Sequence, residues 1–263
     1  MSKTPILMYH SISDCTNPKF VQFTVSPRRF AEQMAYLRDH AYTPLTVTQW
    51  IDALNGTAPL PAKPIVLTFD DGLADFFTEA LPILTRYSFP ATLYIATAFV
   101  NGTCGWLRRE EESQRAMLTW GQIAQLYACG IECGAHSHTH PQLDMLSPTL
   151  ARTELVTSKD RIEQQLGSAV TSFAYPYGYY TATTQRLARA AGYTSACAVK
   201  HTLSSATTHP FALARLMVHA GTDRTAFAAM LTGQSSYQFA TAYMRVRTPV
   251  WGLVRRWRRA VLA

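Results

Sequence analysis

The chain has no apolar run approaching the roughly 20 residues that cross a bilayer as a helix. It also lacks any internal repeat or low-complexity stretch that would point to a solenoid or a disordered array. Its five cysteines, Cys15, Cys104, Cys129, Cys133 and Cys197, are odd in number and never form a Cys-x-x-Cys pair. That argues against a disulfide framework and against a cysteine zinc knot, and reduced, mostly buried thiols are expected. Acidic residues are scarce, 17 against 24 lysines and arginines. The excess is local: of the formal +7, six charges come from arginines in 241–263, a stretch without a single acid, so the remainder carries +1. A body this near neutrality, in which no aromatic and basic platform recurs, is not expected to bind nucleic acid. Nothing in Met1-Ser2-Lys3-Thr4-Pro5 reads as a secretory leader, so a cytoplasmic location is expected for the chain as given.

What the chain does have is length and a regular alternation. Its 263 residues, 48% of them hydrophobic, suffice for one α/β domain with a large core. An N-cap followed by proline at Ser26-Pro27 predicts a helix through Phe30, Met34 and Leu37 to His40, and Thr46 or Thr48 predicts another through Trp50 and Leu54. The proline-rich linker 59–64 leads into an apolar strand at Ile65. A helix over 74–87 that Pro82 should kink, a strand over 91–97, and helix–strand pairs over 119–134, 147–175 and 181–199 continue the pattern. Such alternation argues for parallel strands joined by helical crossovers, arranged as a distorted (β/α) barrel or as an open doubly wound sheet. The stretch 101–114, with Gly102, Gly105 and the charged run Arg108-Arg109-Glu110-Glu111-Glu112, reads as a loop able to border or gate a site.

The run Thr68-Phe69-Asp70-Asp71-Gly72 closes the strand that begins at Ile65. A turn at Asp71 can swing both carboxylates into one pocket, where like charge is costly unless a cation or a proton is shared. Taken alone, Asp-Asp-Gly is more often a turn that caps the next helix. A second cluster changes that balance: Cys133-Gly134-Ala135-His136-Ser137-His138-Thr139-His140-Pro141 holds three imidazoles within five residues. His136 and His140, four apart, would share one side of a helical turn, with His138 pointing elsewhere as an outer or surface residue. Two neutral imidazoles and one carboxylate make a three-ligand site with an open position, the arrangement of a catalytic zinc. Two further histidines end apolar runs that read as strands, His10 after Ile6-Leu7-Met8-Tyr9 and His219 after Leu216-Met217-Val218. Either would sit at a strand's C-terminal rim, where α/β folds place ligand sites, and strand position alone does not choose between them.

Together these residues resemble the motifs of the polysaccharide deacetylases, also called family 4 carbohydrate esterases. The first motif matches Thr68-Phe69-Asp70-Asp71-Gly72, and the second, His-Ser/Thr-x-x-His, matches His136 to His140. The resemblance implies a distorted (β/α) barrel and a metal-dependent hydrolase that removes the N-acetyl group of an amino sugar, in a glycan or on a lipid carrier, and releases acetate. It implies Asp70 as general base and Asp71, His136 and His140 as ligands of a divalent metal, zinc foremost, with cobalt or nickel as alternatives. Phe173-Ala174-Tyr175-Pro176-Tyr177-Gly178 is similar to the third motif, whose backbone N–H helps hold the oxyanion. That role would fall to Tyr177, with Tyr175 and Pro176 expected to bind substrate. Many members carry an arginine two residues before this proline to orient the base. Ala174 stands there in this chain, and Arg215 is the substitute candidate, also counted among the substrate-binding residues. The first strand resembles that of a circularly permuted branch, which includes enzymes acting on poly-N-acetylglucosamine and carries its catalytic histidine there. On that likeness His10 is preferred to His219 as general acid. The missing arginine keeps open a catalytically weak carbohydrate-binding barrel, and a hydrolase of another acyl amide is the second alternative.

The expected division is a barrel over 1–240 and a basic amphipathic tail over 241–263. On a helix, Val250, Leu253, Val254, Trp257 and Val261 would share one face and Arg255, Arg256, Arg258 and Arg259 the opposite one. Such a helix suits an anionic membrane surface, where each arginine adds about 1 kcal/mol, or it docks on the barrel with its basic face in water. The first alternative would make the chain peripheral at the inner membrane face.

Overall fold

The structure, a computed structural model, describes residues 3–234. The expected tail over 241–263 lies outside the described residues. Eight strands form one sheet in which every ladder is parallel: β1 (Ile6–Tyr9), β2 (Thr43–Leu45), β3 (Pro64–Phe69), β4 (Thr92–Ile95), β5 (Glu132–Ala135), β6 (Ser172–Ala174), β7 (Ser195–Cys197) and β8 (Leu216–Met217). Their order is β7-β6-β5-β4-β3-β1-β8, and β2 pairs with the first half of β3. Among the described residues, seven α-helices lie between or after the strands: α1 (Pro27–Asp39), α2 (Val47–Leu54), α3 (Leu81–Arg86), α4 (Trp120–Ala128), α5 (Pro148–Leu166), α6 (Ala182–Ala190) and α7 (Arg224–Thr232).

The helices start where local chemistry says they should. Ser26 and Ser147 accept the amides of Arg29 and Leu150 and are each followed by proline, while Thr46 and Thr119 close capping boxes with Gln49 and Gln122. A cap of this kind contributes about 1 kcal/mol by satisfying amides that the helix cannot. The region 74–87 departs from expectation. Instead of one kinked helix, a π-turn spans Phe76–Ala80, the Leu81 amide reaches back to the Phe76 carbonyl, and α3 begins afresh. Pro82 then sits in the first turn of α3, a position that tolerates proline.

The sheet curls into a distorted barrel, and the open alternative fails at one short segment. Leu216 and Met217 of β8 pair with Leu7 and Met8 of β1. Just upstream, Leu213 bridges Cys197 of β7, with the Ala198 amide donating to the Leu213 carbonyl at 2.8 Å and the Leu213 amide to the Ala196 carbonyl at 3.0 Å. Residues 213–217 thus stitch the two ends of the sheet together. Strand alternation then sorts the side chains. Ile65, Leu67 and Phe69 of β3 pack toward the helical layer with Phe30, Met34 and Leu84, whereas Val66 joins Ile6, Trp50, Tyr94 and Leu213 in a second cluster. Helix α2 plugs the end at which the strands begin. Trp50 is fully buried and donates to Thr4 Oγ1, the Val47 amide reaches Thr92, and Thr48 hydrogen-bonds Glu132 at the start of β5. A closed floor leaves the opposite rim, where the strands end, as the open face.

Candidate metal centre

Asp70 continues the inward face of β3 set by Val66 and Thr68, and its amide donates to the Tyr9 carbonyl at 2.9 Å as a last rung between β3 and β1. Pairing then stops. Asp71 and Gly72 adopt φ 80° and 85°, a left-handed reversal that brings the Asp71 side chain back beside that of Asp70. For a residue other than glycine such a conformation costs roughly 1–2 kcal/mol, which the surroundings must offset. Both carboxylates are buried, at 3% and 5% exposure.

Strand β5 delivers the histidines, but not on a helical turn. Residues 136–140 form a loop in which Ser137 (φ 63°) and His140 (φ 57°) are both left-handed. The i, i+4 spacing predicts a helix because it sees only sequence distance; here the loop is folded by its partners. The His140 amide donates to Ser137 Oγ at 3.1 Å, and the amides of Thr97 and Ala98 donate to the Ser137 and His138 carbonyls. His138 turns outward as expected, with Nδ1 2.9 Å from Thr97 Oγ1.

The result is a convergence. Asp71 Oδ1 lies 3.5 Å from His136 Nε2 and 3.3 Å from His140 Nε2, and the three ligand-type atoms all fall within 4.8 Å of one another. These separations are long for hydrogen bonds. They match the edge of about 3.3–3.4 Å between atoms that each sit about 2.1 Å from a tetrahedral ion. The tautomer agrees. His136 Nδ1 is 2.8 Å from the Ala174 carbonyl and donates to it, which leaves Nε2 with a bare lone pair facing Asp71. Lone pairs and a carboxylate aimed at one point repel unless a cation lies between them, so the donor set fits a small divalent metal. Burial pushes the Asp71 carboxyl up, but the close approach of His136 and His140 outweighs it and holds it well below the usual range. His140 has no partner at its buried Nδ1 and is fixed by ring contacts instead, with Trp106 stacked on one side at 4.6 Å and Tyr177 at 4.9 Å.

Asp70 stands just outside this triangle, 3.9 Å from His136 Nε2. Arg215, fully buried, grips it with a two-pronged contact: Nη1 to Oδ1 at 2.6 Å and Nη2 to Oδ2 at 2.7 Å. The guanidinium is itself fixed by the Ala198 carbonyl and Thr68 Oγ1, each at 3.2 Å. Burial would raise the Asp70 carboxyl, yet Arg215 first and His136 next bring it below the ordinary value. The cation paired with Asp70 is thus Arg215, contributed from the segment just before β8.

A cleft of about 770 Å³ opens above these groups. His10, Asp70, Asp71, His136, His140 and Tyr177 all line it. His10 is half-buried with its Nδ1 unpartnered, and burial lowers its affinity for a proton against the pull of Asp71 and Asp70. His219 does not line the cleft. It lies beyond the end of β8 in a turn where its Nδ1 accepts the Gly221 amide at 3.1 Å. Tyr177 takes the left-handed conformation (φ 60°) in the turn Pro176–Gly178, beside Gly178, where a Cβ would meet Val199 at 2.7 Å.

Three residues expected to bind substrate lie under the cleft instead. Tyr175 is fully buried with its hydroxyl donating to the Phe211 carbonyl, Pro176 is buried in the turn, and Arg215 is covered by Asp70. The cleft walls that sequence reasoning missed are aromatic: Phe20, Phe23, Trp106 and Tyr179. The loop over 101–114 borders the site as expected, but it is stitched at its base. The Asn101 and Met117 amides donate to the Leu118 and Gly102 carbonyls, and Thr103 bridges Ala116. The five cysteines are free thiols, three of them buried.

The model of a known family, described as polysaccharide deacetylase, matches residues 57–196. The protein YxkH of Bacillus subtilis is 27% identical over 230 residues, covering 88% of this chain and 76% of that protein. A poly-beta-1,6-N-acetyl-D-glucosamine N-deacetylase of Escherichia coli is 38% identical over 86 residues, which span 32% of this chain and 12% of that enzyme. Among solved structures, the Streptococcus pyogenes deacetylase PplD in complex with acetate superposes with a TM-score of 0.77 at 28% identity, covering 88% of this chain and 98% of that one.

Proposed function

The chain belongs to the polysaccharide deacetylase family, and on that premise we propose that it hydrolyses the N-acetyl group of an amino sugar carried in a glycan or on a lipid and releases acetate. The observation that carries this reading is the meeting of Asp71, His136 and His140 around one point, with Asp70 beside it in the grip of Arg215. Polymers of β-1,6-linked N-acetylglucosamine are the first substrate to try, because the Escherichia coli relative is named for them.

In this reading Asp71, His136 and His140 hold a divalent ion, zinc foremost, with cobalt or nickel as alternatives. When bound, the ion would supply positive charge that acidifies a water and polarises the acetyl carbonyl. Asp70 takes the proton of the attacking water. Its fork to Arg215 keeps it ionised and fixes the carboxylate plane, while each oxygen retains a lone pair for that proton. The same contact makes Asp70 a weak base, so it serves best where the water is already acidic. The Tyr177 N–H is the donor assigned to the developing oxyanion, a role whose removal costs about 3–4 kcal/mol in comparable sites. His10 gives the departing nitrogen its proton, without which an amine is a poor leaving group. Trp106, Tyr177 and Tyr179 offer ring faces to sugar rings along the cleft.

The test is acetate release from a panel of N-acetylhexosamine oligomers and lipid-linked sugars, by wild type and Asp70→Asn. Release from at least one oligomer, lost in the variant, is expected. Full activity in Asp70→Asn would overturn the assignment of the base.

A further inference from the structure

We propose that Glu154 is the positioning residue of the metal-binding loop, setting the approach of His140 without touching its ring. The inference rests on the ligand assignment above and adds what holds this ligand in place.

Glu154 lies on α5, outside the barrel rim, and its carboxylate takes three donors from two successive loop residues. Oε2 accepts the His138 amide at 2.8 Å and the Thr139 amide at 2.7 Å, while Oε1 accepts the Thr139 hydroxyl at 2.6 Å. These donors lie midway between the two histidine ligands. The loop needs such a clamp, because Ser137 and His140, on either side of the clamped pair, are both left-handed without being glycine. With the amides released, 137–140 would relax toward ordinary backbone angles, and His140 Nε2 would leave its place 3.3 Å from Asp71 Oδ1. His140 has no hydrogen bond at Nδ1 to hold it otherwise. His136 sits at the end of β5 and keeps its own anchor at the Ala174 carbonyl, so the loss falls on one ligand of three. A carboxylate is the right acceptor here, since one oxygen can take two amides at once and charge-assisted bonds are about twice as strong as neutral ones.

The test is cobalt affinity of the full chain, measured by competition with a chromogenic chelator, for wild type, Glu154→Ala, Glu154→Gln and Glu163→Gln. Glu163 is the control. It clamps the Val170 amide at 2.9 Å from the same helix, far from the site, so its loss should lower thermal stability and leave cobalt affinity unchanged. Glu154→Ala should weaken cobalt binding about 10–100-fold, the range for groups that orient metal ligands. Glu154→Gln should fall between it and wild type, because the amide oxygen can still take both backbone donors. Circular dichroism identifies variants that are folded. Wild-type cobalt affinity in folded Glu154→Ala would overturn the proposal while leaving the ligand assignment intact. Equal weakening in Glu163→Gln would reduce Glu154 to a general stabiliser, and failure of the wild type to bind cobalt would remove the ligand assignment itself.

Discussion

Removing the fork between Arg215 and Asp70 should cost more as two single substitutions than as one double substitution. Arg215 is fully buried and makes four hydrogen bonds, two of them to Asp70 at 2.6 and 2.7 Å. Arg215→Met leaves the Asp70 carboxylate buried and uncompensated, and breaking a buried pair in this way costs about 3–5 kcal/mol. Asp70→Asn leaves the guanidinium equally stranded. In Asp70→Asn/Arg215→Met neither charge remains, so the double variant should be more stable than the sum of the single effects by at least about 1.5 kcal/mol. The sign against pH is also fixed. Asp70 has a lowered proton affinity in the folded chain, so its stabilisation is complete above the ordinary carboxylate value of about 4 and is lost as pH falls through its lowered value. In Arg215→Met, burial is opposed only by His136 and His10, so the proton affinity of Asp70 rises and the stability it gains above about pH 4 should shrink or reverse. Urea unfolding of the four proteins from pH 3 to 7 measures both effects. Strict additivity, or an unchanged pH dependence in Arg215→Met, would refute the reasoning.

Asp75, beside His10 through Ser11, gives a second pH signature. Burial pushes its carboxyl up to about 6 against hydrogen bonds from Ser11 and Ile12 and the charge of Arg115. Its folded form holds a proton more tightly than the unfolded chain, so stability should decline between about pH 4 and 6, by up to roughly 3 kcal/mol, and Asp75→Asn should flatten that decline in urea midpoints. His10→Ala should lower the rate of acetate release by about 10²–10⁴-fold while His219→Ala stays within a few-fold of wild type, and the opposite ranking in kcat would move the general acid to His219. On the membrane reading of the tail, deleting 241–263 should abolish co-sedimentation with liposomes rich in anionic lipid but not acetate release from soluble oligomers, whereas on the docked-helix alternative the full chain should not co-sediment at all. Unchanged co-sedimentation would end the membrane reading of the tail.

Sequence and structure agree most closely where the information is local. The caps at Ser26, Thr46, Thr119 and Ser147 are legible because a cap is decided within four residues, and the apolar run ending at Asp70 is legible because strand burial leaves its own signature. Closure of the barrel is not, since β8 is two residues long and Leu213 makes only an isolated bridge, too little for periodicity to register. The backbone of 136–140 is equally hidden. Four-residue spacing reads as a helix, whereas Glu154, Thr97 and Ser137 impose left-handed angles through contacts that the spacing does not contain. The pairing of Arg215 with Asp70 joins positions 145 residues apart, and it emerged as a candidate only because a familiar motif lacked its arginine. The same motif reading put Tyr175 and Pro176 on the substrate side, but a turn has two sides, and theirs faces the core.

The central claim is that Asp71, His136 and His140 hold one divalent ion on which acetate release depends. Its most direct test is equilibrium dialysis against zinc, with acetate release assayed on the same samples as a chelator strips the ion. The account predicts one ion per chain in the wild type, activity that falls in proportion to occupancy and returns when metal is restored, and neither binding nor turnover in His136→Ala/His140→Ala. Undiminished acetate release from fully stripped protein would contradict it.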